Sequence, residues 1–252
     1  MSPAAEVEAR RIAALLGVPA AELSYLRSRS ASALTRLRLA IACAGMERHQ
    51  RSFERLARAS TLLPTTLAAR IAQEHLGPAL IAALAPFLPP ARAALLGQRL
   101  EPAFLAEVAV HLVPNRAGPL LAALPLTLLS TTLQQLLARG EYAAMGAVVE
   151  QLPTETVTRL AAEIADPAEL LLIAAYVGDK RCLRPVVDSF DDNAILQLLR
   201  CATEGAAMSA LIELTAVLEA PQQQRLRNLL ATLPEPSRRA WVEAASPATA
   251  SA

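Results

Sequence analysis

The chain has 252 residues, of which 54% are hydrophobic and 3% aromatic, and its net charge is +1. Abundant Ala and Leu, with few aromatic or β-branched residues, favour helices over strands. No apolar run reaches the ~18 residues that a membrane span needs, and the N-terminus lacks the basic-then-apolar order of a secretory signal, so we expect a cytoplasmic protein.

The charge is spread unevenly along the chain. Residues 1–60 carry ten basic against five acidic residues, whereas residues 141–204 carry five basic against eleven acidic residues. This asymmetry has three interpretations. The two regions could be surfaces for two partners, one end of the molecule could meet the other end of another copy, or the regions could be two solvated faces. The cysteines, Cys43, Cys182 and Cys201, have no paired spacing, which argues against a disulfide framework and a thiolate zinc site.

Residues 1–60 are predicted to form a basic N-terminal helical region that begins with two short helices, at residues 6–16 and 20–27. The phrase over residues 11–28 resembles the helix-turn-helix of bacterial regulators, in which Ser24, Tyr25, Arg27 and Ser28 would face a major groove. The resemblance implies DNA binding as one alternative function. A turn between two packed helices explains the same residues.

Residues 32–59 are predicted to form one longer basic helix with a break near Gly45. A basic amphipathic helix can lie on an anionic membrane or on nucleic acid. Because Phe53 is the one aromatic residue of this segment, a solvated helix face is the favoured interpretation.

Residues 61–236 are predicted to form a superhelical repeat domain, followed by a tail at residues 237–252 whose end, residues 247–252, we expect to be disordered. Helix starts or breaks recur at intervals of 11 to 16 residues. Proline fits the first turn of a helix and breaks its interior, so each interval predicts one short helix. Short helices are marginal alone and persist by stacking, which predicts an all-α superhelix, an α-solenoid with a period of about 12–13 residues. The residues at these helix starts or breaks are Pro64, Pro78, Pro90, Pro102, Pro114, Pro125, Gly140, Pro153, Pro167, Gly178, Asp191, Gly205, Pro221 and Pro234.

Two segments carry the pattern Leu-Pro-Pro-x-x-Ala-x-x-Leu-x-x-x-Leu best, at residues 88–100 and 152–164. The pattern resembles the cytoplasmic N-terminal domain of MgtE-type magnesium transporters and the related middle domain of the flagellar motor switch protein FliG. The resemblance implies a superhelix of short helices. The chain departs from the transporters, since residues 61–140 hold only Glu74, Glu101 and Glu107 as acids. It departs from FliG because the Glu-His-Pro-Gln motif is absent, with the nearest match at residues 74–77, so no functional residue is carried over.

One candidate site combines histidine and glutamate. Glu107 and His111 are spaced i, i+4 on one predicted helix, and the adjacent Glu74 and His75 lie on a nearby helix. Together they could ligate a metal or act as acid and base. The alternative is that both histidines are surface or helix-end residues.

A second candidate site surrounds the break at Gly140, where the repeat interval is among the longest. Functional residues are expected where a local rule is broken. The alternative is a kink in which Gly140 and Gly146 allow two helices to approach closely. The candidate residues are Arg139, Glu141, Tyr142 and Met145.

A third candidate site is the turn that contains Asp179 and Lys180, the only lysine of the chain. This pair could form a buried ion pair or supply a reactive lysine, but a solvated turn is the more common arrangement.

The sequence contains no GxSxG, HExxH or Gly-rich phosphate-binding motif. We therefore expect a non-enzymatic helical scaffold or protein-interaction module, without a cofactor or metal, that binds a partner protein or itself. One alternative is that an apolar groove of the superhelix binds a small hydrophobic ligand. Chemistry on that ligand could take place at Glu141 and Tyr142 or at His111.

Overall fold

The structure, a computed structural model, describes residues 3–202, 205–235, 238, 239 and 241. Within those residues it is helical throughout and has no strand, which confirms the predicted all-α class. None of the described helices is long and apolar enough to cross a membrane. The expected disorder of residues 247–252 lies outside the described residues. The chain divides into two compact units, Met1–Leu128 and Leu129–Ala252.

The first unit contains eight complete α-helices in its described part. Two 3-10 segments, Ala20–Ser28 and Ala85–Phe87, and one π-helical turn, Ala72–Leu76, interrupt them. The α-helices are α1 (Pro3–Leu16), α2 (Ala31–Arg48), α3 (Gln50–Thr61), α4 (Thr65–Ile71), α5 (Gly77–Leu84), α6 (Pro90–Gly97), α7 (Pro102–His111) and α8 (Pro114–Ala123).

The helices of the remaining chain follow the same short pattern. A 3-10 segment, Lys180–Leu183, separates α12 from α13. The α-helices are α9 (Leu126–Ala138), which includes the unit boundary, α10 (Tyr142–Val149), α11 (Thr154–Ala162), α12 (Pro167–Tyr176), α13 (Arg184–Ser189), α14 (Asp192–Cys201), α15 (Gly205–Val217) and α16 (Ala220–Ala231).

Prolines begin several of these helices, as the sequence predicts. Pro90, Pro102, Pro114 and Pro167 each occupy the first position of a helix. The missing N–H of proline costs nothing there, because the first N–H groups of a helix have no partner within it. Pro119 is an exception, since it lies inside α8 without ending that helix.

Helices two apart in sequence pack against each other within each unit. In the first unit α3 contacts α5 and α5 contacts α7, while α4 contacts α6 and α6 contacts α8. In the second unit α10 contacts α12, α12 contacts α14 and α14 contacts α16. Because helices of about eight to ten residues are marginal alone, this alternate stacking supplies the burial that stabilises them.

The core of the second unit is built around α12. Leu171 is 2% exposed and Ile173 is 7% exposed, and α12 contacts α10, α14 and α15. The segment that holds Leu170, Leu171 and Ile173 is apolar on nearly all sides, which predicts a central helix, and the structure confirms this. Leu170 is only half-buried, so a charged replacement would meet the core at Leu171.

Two predicted helices differ in the structure. The segment expected to be a second helix at residues 20–27 is a 3-10 segment with non-helical backbone at Leu23 (φ −96°, ψ 19°), so it is not the α-helix that a helix-turn-helix inserts into DNA. The longer helix expected at residues 32–59 breaks at His49 (φ −110°, ψ 15°) rather than near Gly45. Gly45 stays within α2 because nothing there requires a positive φ.

Candidate functional site

The predicted histidine and glutamate residues do not assemble into one site. Glu107 and His111 are half-buried on α7, whereas Glu74 and His75 lie exposed on the π-helical turn, with 3.9 Å between His75 Nε2 and Glu74 Oε2. No group of three or more His, Cys, Asp or Glu residues within the described ranges could hold a metal ion. The structure therefore offers no support for a metal-ligating role of these four residues.

His111 instead borders a buried charged cluster. Arg38, which is 3% exposed, donates from Nε to Glu8 Oε2 at 2.9 Å and from Nη1 to the Val110 carbonyl oxygen at 2.9 Å. Arg11 donates to the other Glu8 oxygen at 2.7 Å. This Glu8 cluster joins α1, α2 and the end of α7, and the sequence analysis did not identify it.

Burial and neighbouring charges set the ionisation of this cluster. Burial lowers the pKa of His111, and the positive charges of Arg38 and Arg11 lower it further, so its imidazole favours the neutral form. Burial alone would raise the pKa of Glu8, but attraction and hydrogen bonds from Arg38 and Arg11 outweigh it and hold that pKa below its usual value. The cluster is thus a satisfied ion pair beside a neutral histidine, an arrangement suited to joining helices.

The residues around Gly140 form a helix junction. Gly140 has φ +66°, and the Glu141 N–H donates to the Leu136 carbonyl oxygen at 3.0 Å, a common way for a helix such as α9 to end. Arg139 is exposed and Glu141 precedes α10 as its N-cap residue.

The side chains on α10 are used for contacts with α12. Met145 is 4% exposed. The Tyr142 hydroxyl lies 3.5 Å from Glu169 Oε1, and burial followed by the Glu169 charge raises the pKa of Tyr142. A Cβ on Gly146 would lie 2.7 Å from Tyr176 Cβ, so the glycine permits close approach of α10 and α12. These contacts match the packing alternative that the sequence left open for this break.

Lys180 is buried, and the expectation of a solvated turn is wrong for it. It is 6% exposed, its Nζ lies 2.8 Å from Glu213 Oε2, and it donates to the Val177 carbonyl oxygen at 3.0 Å. Asp179 remains exposed and pairs with Arg181, whose hydrogen bonds lower the Asp179 pKa to about 2. Hence Lys180 is buried in an ion pair, but its partner is Glu213 and not Asp179, the partner that the other prediction for this turn gave it.

Glu150 supports the same turn, although the sequence analysis did not identify it. One of its carboxylate oxygens, Oε1, accepts from the Gly178 N–H at 2.5 Å and from the Asp179 N–H at 2.9 Å. Burial, with the charges of Glu150 and Asp179, raises the pKa of the Cys182 thiol to about 11. A thiol with so high a pKa is a poor nucleophile at neutral pH.

The two units use their charges differently. In the described part of the second unit, Glu155 is the one acidic residue whose side chain has no ion pair or hydrogen-bond partner. In the first unit many exposed arginines are without a carboxylate among the described residues. The basic excess of the first unit therefore faces solvent. These arginines are Arg29, Arg36, Arg48, Arg51, Arg55, Arg70 and Arg99.

The outer surface of α3 combines two of these arginines with exposed leucines. Arg51, Arg55, Arg58 and Leu62 are spaced i, i+4, i+7 and i+11, which places them on one side of the helix. Leu62 is 86% exposed, whereas Leu56, which is 51% exposed, lies about 100° or more around the helix from each of these four residues. We call Arg51, Arg55, Arg58 and Leu62 the arginine face.

The opposite side of α3 anchors the helix. Ala57 is 2% exposed, and the rings of Phe53 and Phe87 stack with centroids 5.7 Å apart. These contacts fix α3 against α5 and the 3-10 segment Ala85–Phe87. The arginine face is therefore held outward by a rigid contact.

An open cleft of about 600 Å³ lies elsewhere in the first unit. Its lining is mostly charged or polar, which gives no support to a hydrophobic ligand at this place. The lining residues are Thr66, Ala69, Arg70, Gln73, Glu74, Arg99, Glu101 and Phe104.

Comparison of the chain with protein-family models, with curated proteins and with solved structures yields no match.

Proposed function

We propose that this protein is a non-enzymatic helical scaffold whose first unit binds an acidic helical segment of a partner protein through the arginine face. The observation that carries the proposal is the shared exposure of Arg51, Arg55 and Leu62 on one side of α3. An acidic amphipathic helix supplies carboxylates for the guanidinium groups and apolar side chains for the leucine.

The exposed leucines favour a protein over a nucleic acid. A phosphate backbone neutralises arginines but leaves Leu62, which is 86% exposed, uncovered. Burying a leucine side chain is worth about 1.5–3 kcal/mol. A partner with its own apolar residues gains this term in addition to the ion pairs.

The anchoring of α3 favours a protein over a membrane. A helix that binds a bilayer places its apolar side among the acyl chains. Here the apolar side holds Phe53 and Ala57 against the rest of the unit. The side left free carries arginines and only scattered leucines.

The alternate stacking of short helices supports the scaffold part of the proposal. Stacked helix pairs wind into superhelices that offer extended surfaces for partners, and we propose this superhelical arrangement for the repeat helices. The resemblance to the MgtE-type N-terminal domain and the FliG middle domain belongs to the same proposal. The buried charged residues Glu8, Arg38 and Lys180 each have an ion-pair partner within their own unit, which suits a structural role.

The test uses the full chain and a designed helical peptide of about 20 residues with Glu on one row and Leu beside it. A matched peptide replaces each Glu with Gln. We expect micromolar binding of the acidic peptide, at least tenfold weaker binding of the Gln peptide, and weakening as salt rises. Fluorescence anisotropy measures each affinity.

Variants locate the surface. R51Q/R55Q and Leu62→Ser should each weaken the acidic peptide about tenfold, whereas the control R29Q/R36Q, which removes two exposed arginines outside α3, should leave binding unchanged. Tighter binding to duplex DNA or to anionic vesicles than to the peptide would overturn the proposal. So would a dimer, seen by light scattering, that dissociates in R51Q/R55Q, because a second copy would then occupy the face.

A further inference from the structure

The charged cleft of the first unit contains groups of both signs that are not paired with each other. Arg70, Arg99 and Glu101 form no ion pair within the described part of the chain, and Glu74 approaches only His75, at 3.9 Å. Two guanidinium groups and two carboxylates thus line the same cleft without neutralising one another.

Arg70 and Glu74 are four residues apart at the π-helical turn. Here α4 ends at Ile71 and Glu74 lies on the π-helical turn Ala72–Leu76. An i, i+4 pair with the basic residue first is the less favourable order on a helix, and both side chains line the cleft.

This turn is held in place at its end. Gly77 has φ +74°, a backbone conformation that other residues rarely adopt. π-Helical turns are rare, and they occur frequently at functional sites. Glu74 therefore lines the cleft from an unusual backbone turn, together with Arg70.

We propose that this cleft binds a zwitterion that carries a carboxylate and an ammonium group, as the two ends of a short peptide or a free amino acid do. Arg70 and Arg99 bind the carboxylate, and Glu74 and Glu101 bind the ammonium group. Phe104 supplies an apolar contact for the ligand's body.

The cleft suits this class of ligand better than a simple anion or a hydrophobic molecule. A lone anion leaves Glu74 and Glu101 facing its negative charge, and an apolar molecule leaves all four charged groups desolvated. Its volume of about 600 Å³ is within the range of small-molecule sites. This site is separate from the arginine face and does not depend on the function proposed for it.

The test is isothermal titration of the full chain with four forms of the tripeptide Ala-Phe-Ala. One form has both ends free, one has an acetylated N-terminus, one has an amidated C-terminus, and one has both ends blocked. We expect the free form to bind at least tenfold more tightly than any blocked form, since each blocked end removes charge-assisted hydrogen bonds. Free phenylalanine distinguishes an amino-acid site from a peptide site, and both results support the proposal.

Variants assign the two ends. Arg99→Gln should weaken the peptide with a free C-terminus about tenfold, and Glu101→Gln should do the same for the peptide with a free N-terminus. The matched controls, Arg29→Gln and Glu22→Gln, are exposed positions of the same unit outside the cleft and should change nothing. Circular dichroism confirms that each variant is folded.

Three results would overturn the proposal. The first is the absence of both a heat of binding and NMR amide shifts at Thr66 and Gln73 with every form of the tripeptide up to millimolar concentration. The second is equal binding of free and blocked peptides. The third is binding of inorganic phosphate as tight as that of the free peptide, which would make the cleft an anion site.

Discussion

Arg38 and Glu8, 30 positions apart, form an ion pair that is almost completely buried, with 2.9 Å between Arg38 Nε and Glu8 Oε2. The same guanidinium donates to the Val110 carbonyl oxygen at the end of α7. One arginine therefore connects three helices of the first unit, and its removal affects all of them.

Removing one partner of this pair should be strongly destabilising. Arg38→Met leaves the Glu8 carboxylate buried with Arg11 alone and the Val110 carbonyl without that donor, and we expect a loss of about 3–5 kcal/mol in the free energy of unfolding. Urea denaturation measures it. The matched control is Glu6→Gln in the exposed Glu6–Arg10 pair, where the loss should be below about 1 kcal/mol. Equal losses in the two variants would contradict a buried role.

Glu8 should also contribute to acid sensitivity. Its pKa in the folded protein lies below the ordinary carboxyl value of 4.5, so its contribution to stability is present above that value and is lost as the pH falls through the folded pKa. In Glu8→Gln this loss is absent, and the difference in unfolding free energy between wild type and variant should shrink as the pH is lowered below 4.5. A difference that is constant with pH would exclude the assignment.

His111 should produce a separate pH dependence nearer neutrality. Its folded pKa is below the ordinary value of 6.5 because it is buried and faces Arg38 and Arg11, which outweigh Glu107 and Glu8. Below pH 6.5 the His111 imidazole binds a proton in the unfolded chain but not yet in the folded chain. The free energy of unfolding therefore falls as the pH falls toward the folded pKa. His111→Gln should flatten urea midpoints measured over this window. NMR titration of the His111 ring gives its pKa directly, and a value above 6.5 would contradict this prediction.

The Lys180–Glu213 pair should respond asymmetrically to substitution. The Lys180 side chain is 6% exposed, whereas that of Glu213 is 63% exposed. Glu213→Ala leaves an ammonium group buried with only the Val177 carbonyl, and should cost about 2–3 kcal/mol. Lys180→Met leaves a carboxylate that water can solvate and should cost about 1 kcal/mol. The reverse order in urea denaturation would show that the lysine is solvated.

Gly146 and Gly45 provide a matched pair of helix glycines. A Cβ at Gly146 would lie 2.8 Å from the backbone oxygen of Ile173, so Gly146→Ala should force α10 from α12 and cost about 1–3 kcal/mol. A Cβ at Gly45 meets nothing within 4 Å, and Gly45→Ala should stabilise α2 by about 0.5–1 kcal/mol. Thermal unfolding of the two variants should therefore shift in opposite directions.

The sequence by itself determined the helical class and most helix starts. A proline such as Pro102 acts within one turn of its own position, so its effect on helix start can be read without knowing the neighbouring helices. The centrality of α12 could be predicted for a similar reason, since a helix apolar on nearly all sides has to be surrounded.

Only the tertiary structure decided which charged groups are buried, paired or free. The sequence could not show that Glu8 pairs with Arg38, that Glu213 pairs with Lys180, or that Glu74 lies on a π-helical turn. Each of these depends on how helices stack or on a small change of backbone winding, and both are set by packing over the whole unit rather than by residues near in sequence.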